Sequence, residues 1–229
     1  MEQIIVLHGS KDESRNDALA GRLRSLMGET GNYHAAFIES HERSVDQVME
    51  RCVRQGHRNF NVVPVLFFSA SHYCRDIPRA IGRVRESHDD IECSIAPVLS
   101  HHPLMQRFIE KRLSELPEDG VALVMAHGNA DYAAADRELF DLLSKVETRR
   151  PLHPCMLRGK LSVAHVIPGL EAQYDTFHVI PIALEDGFLT SKMKEAVMDE
   201  TGSTSVNFTP SVNFDSMLKE IIMDHMYDK

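Results

Sequence analysis

Apolar, strand-like runs alternate with amphipathic stretches along the whole chain, and this alternation leaves one class of fold. Ile4 to Leu7 (IIVL) precede a stretch from Asp12 to Met27 in which Ala18, Leu19, Leu23 and Leu26 recur at helical spacing. His34 to Glu39 (HAAFIE) precede SVDQVMERCVRQG, where Ser44 can cap a helix that Gly56 ends. Asn61 to Phe68 (NVVPVLFF) show no polar alternation, as expected of a strand buried on both faces, and lead to a helix with Pro78 in its first turn. Ile91 to Leu99 lead to a helix from about Pro103 to Leu116. Successive β-α units need crossovers between parallel strands, so the expectation is an α/β fold with a mainly parallel sheet flanked by helices.

After Pro117–Gly120 (PEDG) the plan restarts. VALVMAHG, Val121 to Gly128, repeats IIVLHG, with His127 in the place of His8. Ser162 to Leu184 overlie Ser44 to Phe67 with a single gap, sharing a Ser-Val helix start and a V-[VI]-P-[VI] strand. A repeat of this size predicts two similar lobes, residues 1–117 and 118–229, facing each other across a cleft. Aligned on Pro64 and Pro181, His72 falls opposite Leu189; aligned on Ser44 and Ser162, Glu39 falls opposite Leu157. Only His127 survives from the first lobe's polar set. The chemistry is therefore expected in the first lobe, the second completing the cleft.

Composition removes other classes. With 229 residues, 43% hydrophobic and 26% charged, the chain can bury a core. A net charge of −9 argues against general nucleic-acid binding, which needs a basic face. No apolar run is long enough to span a membrane, and IIVL begins at once after Met1-Glu2-Gln3 without a basic flank, unlike a signal peptide. Cys52, Cys74, Cys93 and Cys155 form no CxxC pair, so neither a disulfide framework nor a zinc ribbon is indicated, and a cytoplasmic location is expected. No GxxxxGK[ST] loop is present, so ATP is not expected to take part.

Three polar residues share one kind of position: His8, Glu39 and His72 each stand at or just beyond the carboxyl end of a different strand. Adjacent parallel strands lie roughly 5 Å apart, so such side chains can converge. Two imidazoles and a carboxylate suit a divalent first-row metal, and three protein ligands leave positions open for exchange. Singly, each residue has a structural alternative as a capped or solvated group, and Glu42 in the same loop rivals Glu39. His34, His41, His57 and His88 fall in polar segments and need no function. His101-His102-Pro103 can serve as a ligand or as a helix cap, and Cys74 as a soft ligand or a plain thiol. Met217, Met223 and Met226 have the spacing of a core-facing stripe.

The segments IVLHGSKDESRN, AFIES, VVPVLFFSASHYCRDIP and APVLSHHP resemble the signature of the sirohydrochlorin chelatases, the cobalt or iron chelatases of cobalamin and siroheme synthesis, in their long two-lobed form. The matching residues are His8, Gly9, Ser10, Asp12 and Asn16, then Glu39, then Pro64, His72, Asp76, Ile77 and Pro78. Ala70 and Ser71 stand where the family often has glycine, and Cys74 where it has no cysteine; neither change removes a ligand.

The resemblance implies a lyase that inserts Co²⁺ or Fe²⁺, with Ni²⁺ a further candidate, into a sirohydrochlorin-type tetrapyrrole, the metal being a substrate and no organic cofactor being used. Insertion exchanges pyrrole N–H protons for the ion, so His8 and His72 are expected to present metal or take protons, with Glu39 as third ligand or relay. The substrate is rimmed with carboxylates, for which Ser10, Lys11, Arg15, Arg75, Arg79 and His127 are the expected contacts. No nucleic acid or membrane partner is implied, and the assembly is a monomer or homodimer. A carrier that binds metal or tetrapyrrole without turnover is the alternative.

Overall fold

A computed structural model describes residues 1–227. The order of elements is β1 (Glu2–Leu7), α1 (Glu13–Met27), β2 (His34–Phe37), α2 (Val45–Arg54), β3 (Asn59–Pro64), α3 (Ile77–Ser87), β4 (Glu92–Ile95), α4 (Pro103–Ser114), β5 (Val121–Ala126), α5 (Ala133–Ser144), β6 (Leu152–Met156), α6 (Val163–Glu171), β7 (Thr176–Pro181), α7 (Phe188–Glu200), β8 (Ser205–Phe208) and α8 (Ser216–Tyr227). The expected α/β architecture is present twice. One four-stranded sheet runs β2-β1-β3-β4 and the other β6-β5-β7-β8, with every pairing parallel.

In the first unit the central strands β1 and β3 are covered on both faces, which explains their lack of polar alternation. Ile4, Val6, Val62 and Phe60 pack against Val48, Met49 and Cys52 of α2 and Ile77, Ile81 and Val84 of α3. The second unit repeats this core with Leu123, Met125, Phe177 and Val179 against Ile167 of α6 and Met193 and Val197 of α7. No helix among the described residues is long and apolar enough to cross a membrane.

The compact units do not divide at the repeat boundary near residue 117. One comprises residues up to Leu99 together with the chain from Leu218 on, and the other Ser100–Met217. Helix α4 thus belongs with the second sheet and α8 with the first. Each of these helices follows the last strand of its repeat and is not a crossover between two parallel strands. Topology therefore leaves its packing partner free, whereas a helix inside a βαβ unit must cover its own sheet.

Local boundaries differ from the periodicity. The strand expected over Asn61–Phe68 ends at Pro64, which has no N–H to give the ladder; one further bond, Val65 N to the Val6 carbonyl at 2.8 Å, precedes its departure from the sheet. The buried stripe of α1 is Asn16, Ala20, Leu23 and Met27, with Ala18 exposed. In α8 the stripe is Leu218, Ile221, Ile222 and Met226, so Met226 alone of the three expected methionines is buried. Among the expected functionless histidines, His34 and His57 both reach the carboxylate of Glu2, at 3.0 and 3.1 Å, and His88 reaches Glu50 at 3.3 Å.

Candidate metal centre

The strand order β2-β1-β3 means that the chain leaves β1 toward one side of the sheet and returns through α2 to the other. The carboxyl ends of β1 and β3 flank this switch point, where open parallel sheets form a crevice. His8 is the first residue after β1, Glu39 the second after β2, and His72 follows β3 after a short connection. Their donor atoms, one from each residue, lie within 4.8 Å of one another, and they are the group of metal-ligating type found among the described residues. Glu42 and Cys74 do not join it. His8 is exposed and the other two half-buried, so the group is open to a large ligand.

Each side chain is held by local chemistry. Behind His8, Gly9 has φ +70°, and a Cβ there would stand 2.5 Å from Phe37 Cβ, so only glycine lets the chain turn this close to β2. The next turn is clamped by the fully buried Asn16, whose Oδ1 accepts from Ser10 N and whose Nδ2 donates to the Ser10 carbonyl, both at 2.8 Å. Asp12 then caps α1 by accepting from Ser14 N at 3.0 Å.

Glu39 is tied to the same turn. Its backbone N–H donates to the His8 carbonyl at 3.0 Å. The loop beyond it is fastened to α1 by Glu13, which accepts from Ser40 Oγ at 2.5 Å and from Arg43 Nε at 2.9 Å. The Ser40 and Arg43 hydrogen bonds hold the Glu13 carboxyl down at about 2.

His72 opens a wide π-type turn, His72–Asp76, closed by a bond from Ile77 N to the His72 carbonyl. Such turns are frequent at functional sites. Within it, His72 Nδ1 lies 2.8 Å from Asp76 Oδ2, and Arg75 Nε donates to Asp76 Oδ1 at 2.9 Å. Burial acts to raise the Asp76 carboxyl, but the hydrogen bonds from Arg75 and His72 outweigh it and set its pKa below the usual carboxylate range.

The two imidazoles meet edge to face, with centroids 4.7 Å apart, planes at 87°, and Nε2 atoms 3.1 Å apart. His8 Nδ1 faces the Gly9 carbonyl at 3.1 Å. A carbonyl and a carboxylate only accept, so each Nδ1 is placed to donate, and the two Nε2 atoms are left facing each other across a gap that a shared proton or a cation can bridge. Such an arrangement is stabilised by a cation between them. Nitrogens bound to one ion at about 2.0–2.1 Å sit about 2.9 Å apart at a right angle and about 3.3 Å apart at a tetrahedral one. The observed separation lies between these limits.

The second unit places different residues on its rim. Leu157 N donates to the Ala126 carbonyl as Ile38 N donates to that of Leu7, so the ladder sets Leu157 opposite Ile38 and Arg158 opposite Glu39. This corrects the sequence alignment of Glu39 with Leu157, which followed the helix starts and missed a difference in loop length. Leu157 and Leu189 are packed on the apolar core and His127 is exposed. The place of Glu39 is thus taken there by a cation.

The remaining sequence candidates lie around the first rim or elsewhere. Ser10 uses its hydroxyl to accept from Asp12 N at 3.1 Å. Lys11, Arg15, Arg75 and Arg79 are exposed; Arg79 also lines a pocket of about 240 Å³ with Asp76, Ile77, Ser44 and Asp46. His102 caps α4, its Nδ1 accepting from Leu104 N at 3.2 Å, while His101 contacts Glu138. Sequence reasoning missed Asp76 as the partner of His72. Their i, i+4 spacing was visible, but a π turn there was not.

Comparison with known proteins gives the family and the fold. The family model described as CbiX matches residues 2–116, which is 115 of the 229 residues. The chain belongs to the CbiX family. Within that family's reach, a sirohydrochlorin ferrochelatase of Priestia megaterium is 24% identical over 204 residues, 84% of this chain and 76% of its own. A sirohydrochlorin cobaltochelatase of Saccharolobus solfataricus is 27% identical over 118 residues, 49% of this chain and 92% of its own, so that relative spans one repeat of this CbiX protein. The structure of SirB from Bacillus subtilis with Fe³⁺ superposes with a TM-score of 0.79 at 21% identity, covering 99% of this chain and 94% of that one. The two-lobed chelatase-like fold of this CbiX member is therefore that of its structural neighbours.

Proposed function

We propose that this protein is a sirohydrochlorin metal chelatase, inserting Co²⁺ or Fe²⁺ into the macrocycle without ATP. The carrying observation is the apposition of the His8 and His72 Nε2 atoms beside the Glu39 carboxylate at the switch point of a sheet in a CbiX-family chain. The named relatives are sirohydrochlorin ferrochelatases and cobaltochelatases, and that division leaves both metals in play here.

In this reading His8, His72 and Glu39 hold the incoming ion as a substrate, at a site open enough for a pyrrole nitrogen to displace a protein ligand. As the ion passes to the ring, pyrrole N–H protons must leave, and the Nε2 atoms freed by the metal are the nearest bases. Two protons balance one divalent ion, so two imidazoles suffice, with Glu39 lending negative charge. Ser10, Lys11, Arg15, Arg75, Arg79 and His127 are the contacts for the macrocycle's carboxylates. The protein acts in the cytoplasm as a monomer or homodimer, and no organic cofactor, nucleic acid or membrane takes part.

The test is an absorbance assay with sirohydrochlorin and Co²⁺ or Fe²⁺. Multiple turnovers that vanish in His8→Ala and His72→Ala support the proposal. Stoichiometric binding of metal or tetrapyrrole without metallated product would overturn it in favour of a carrier.

A further inference from the structure

Metal-binding histidines are oriented by what their other nitrogen touches. For His8 that partner is main chain, the Gly9 carbonyl at 3.1 Å. No side-chain substitution removes it. For His72 the partner is the carboxylate of Asp76, at 2.8 Å from Nδ1. Asp76 lies 28% exposed and His72 27%, so both are half-screened from water, where a charge-assisted bond keeps more of its strength than on an open surface. The second carboxylate oxygen is occupied by Arg75 Nε at 2.9 Å, which fixes the plane of the carboxylate. The π turn supplies the spacing: it carries His72 at its first residue and Asp76 at its last, so one local element holds both the ring and its brace.

From this geometry we infer that Asp76 is a positioning residue: through His72 Nδ1 it holds the ring as the Nδ1–H tautomer, with Nε2 bare and aimed at His8. The inference rests on the reading of His8, Glu39 and His72 as the metal site and adds to it the residue that makes His72 a competent donor. Without Asp76 the Nδ1–H and Nε2–H forms of His72 compete, and a proton on Nε2 blocks the ion. The loss expected for removing such a partner is about 10–100-fold in metal affinity. Asn at this position is the informative change, because its amide can turn and donate to Nδ1, favouring the wrong tautomer while nearly preserving shape.

The experiment uses the full chain in wild-type, Asp76→Asn, Asp76→Glu, His72→Ala and His8→Ala forms, with thermal unfolding to confirm that each is folded. Two readouts are taken. Nitrogen-15 NMR of the histidine-labelled, metal-free protein at mildly alkaline pH reports the tautomers, and Co²⁺ titration followed by visible absorption reports affinity and coordination. The expected result is a His72 Nδ1–H signature in wild type that shifts toward Nε2–H in Asp76→Asn while His8 is unchanged. Co²⁺ binding should weaken about 10–100-fold in Asp76→Asn and recover at least in part in Asp76→Glu. An unaltered His72 tautomer and unaltered Co²⁺ affinity in a folded Asp76→Asn protein would overturn the inference. Co²⁺ binding that His72→Ala and His8→Ala leave untouched would instead overturn the metal-site reading; the tautomer spectrum, taken without metal, keeps the two failures distinct.

Discussion

The Nε2 atom of His8 faces the Nε2 atom of His72 across 3.1 Å, with the ring planes at 87°. Two ring nitrogens held this close, with their Nδ1 atoms engaged elsewhere, are the proposed seat for one cation. Replacing either ring by alanine leaves the ion one nitrogen and one carboxylate. The expected loss in Co²⁺ affinity exceeds the roughly 10–100-fold ascribed to supporting residues. Glu39→Gln keeps an oxygen donor but not its charge and should cost less than either histidine. Isothermal titration of the folded variants checks the order.

One ion should bind per chain. The second unit carries Arg158 where the first has Glu39, so the first unit's set of two imidazoles and a carboxylate is not repeated there. Metal analysis after dialysis should find one equivalent of Co²⁺, and His127→Ala should keep that stoichiometry. A second equivalent lost in His127→Ala would contradict the assignment.

Gly9 is needed for its backbone. With φ at +70° and Phe37 Cβ 2.5 Å from where a methyl group would sit, Gly9→Ala meets both left-handed strain and a steric clash. Each is a cost of order 1–3 kcal/mol. Urea unfolding should register a loss of at least about 2 kcal/mol, and the displaced His8 should weaken Co²⁺ binding as well.

The acid limb of stability should depend on Glu13. Its carboxyl is held at about 2 by the Ser40 and Arg43 hydrogen bonds, against about 4.3 in an unfolded chain. A depressed pKa means stability that is fully present above the unfolded value and lost as pH falls from about 4.3 toward about 2. Glu13→Gln should flatten this part of the melting-temperature profile. Because the pair fastens the loop carrying Glu39, the variant should also lose metal affinity at neutral pH.

Thiol reactivity should single out one cysteine. Burial pushes Cys155 up to about 12 and Cys93 up to about 11, and Cys52 is also raised by burial, chiefly, and by Glu2. Cys74 is exposed. A disulfide reagent at neutral pH should modify Cys74 first and the other three only slowly. Bound Co²⁺ should leave the rate at Cys74 unchanged, since its sulfur is outside the donor group.

Much of this architecture was legible in the residues because burial pattern and turn chemistry are local. The period-free runs at Ile4–Leu7 and Val121–Ala126, the helix starts at Ser44 and Ser162, and the position of His8 after a strand all follow from neighbours in the chain. Repetition then showed that the plan occurs twice. The order of strands within each sheet could be narrowed but not chosen from that pattern. It is the order β2-β1-β3 that brings the carboxyl ends of β1 and β3 together and so gathers His8, Glu39 and His72.

The sequence by itself determined the α/β class, the duplication and the three candidate ligands, since propensity, periodicity and strand-end position are properties of short segments. Tertiary structure alone decided that helices α4 and α8 exchange units, because nothing local binds a terminal helix to its own sheet. It also decided that Arg158, not Leu157, stands opposite Glu39, because ladder register depends on pairing across strands. Finally, it decided that Asp76 braces His72, because the 2.8 Å contact between them depends on the turn that His72–Asp76 form in the folded chain.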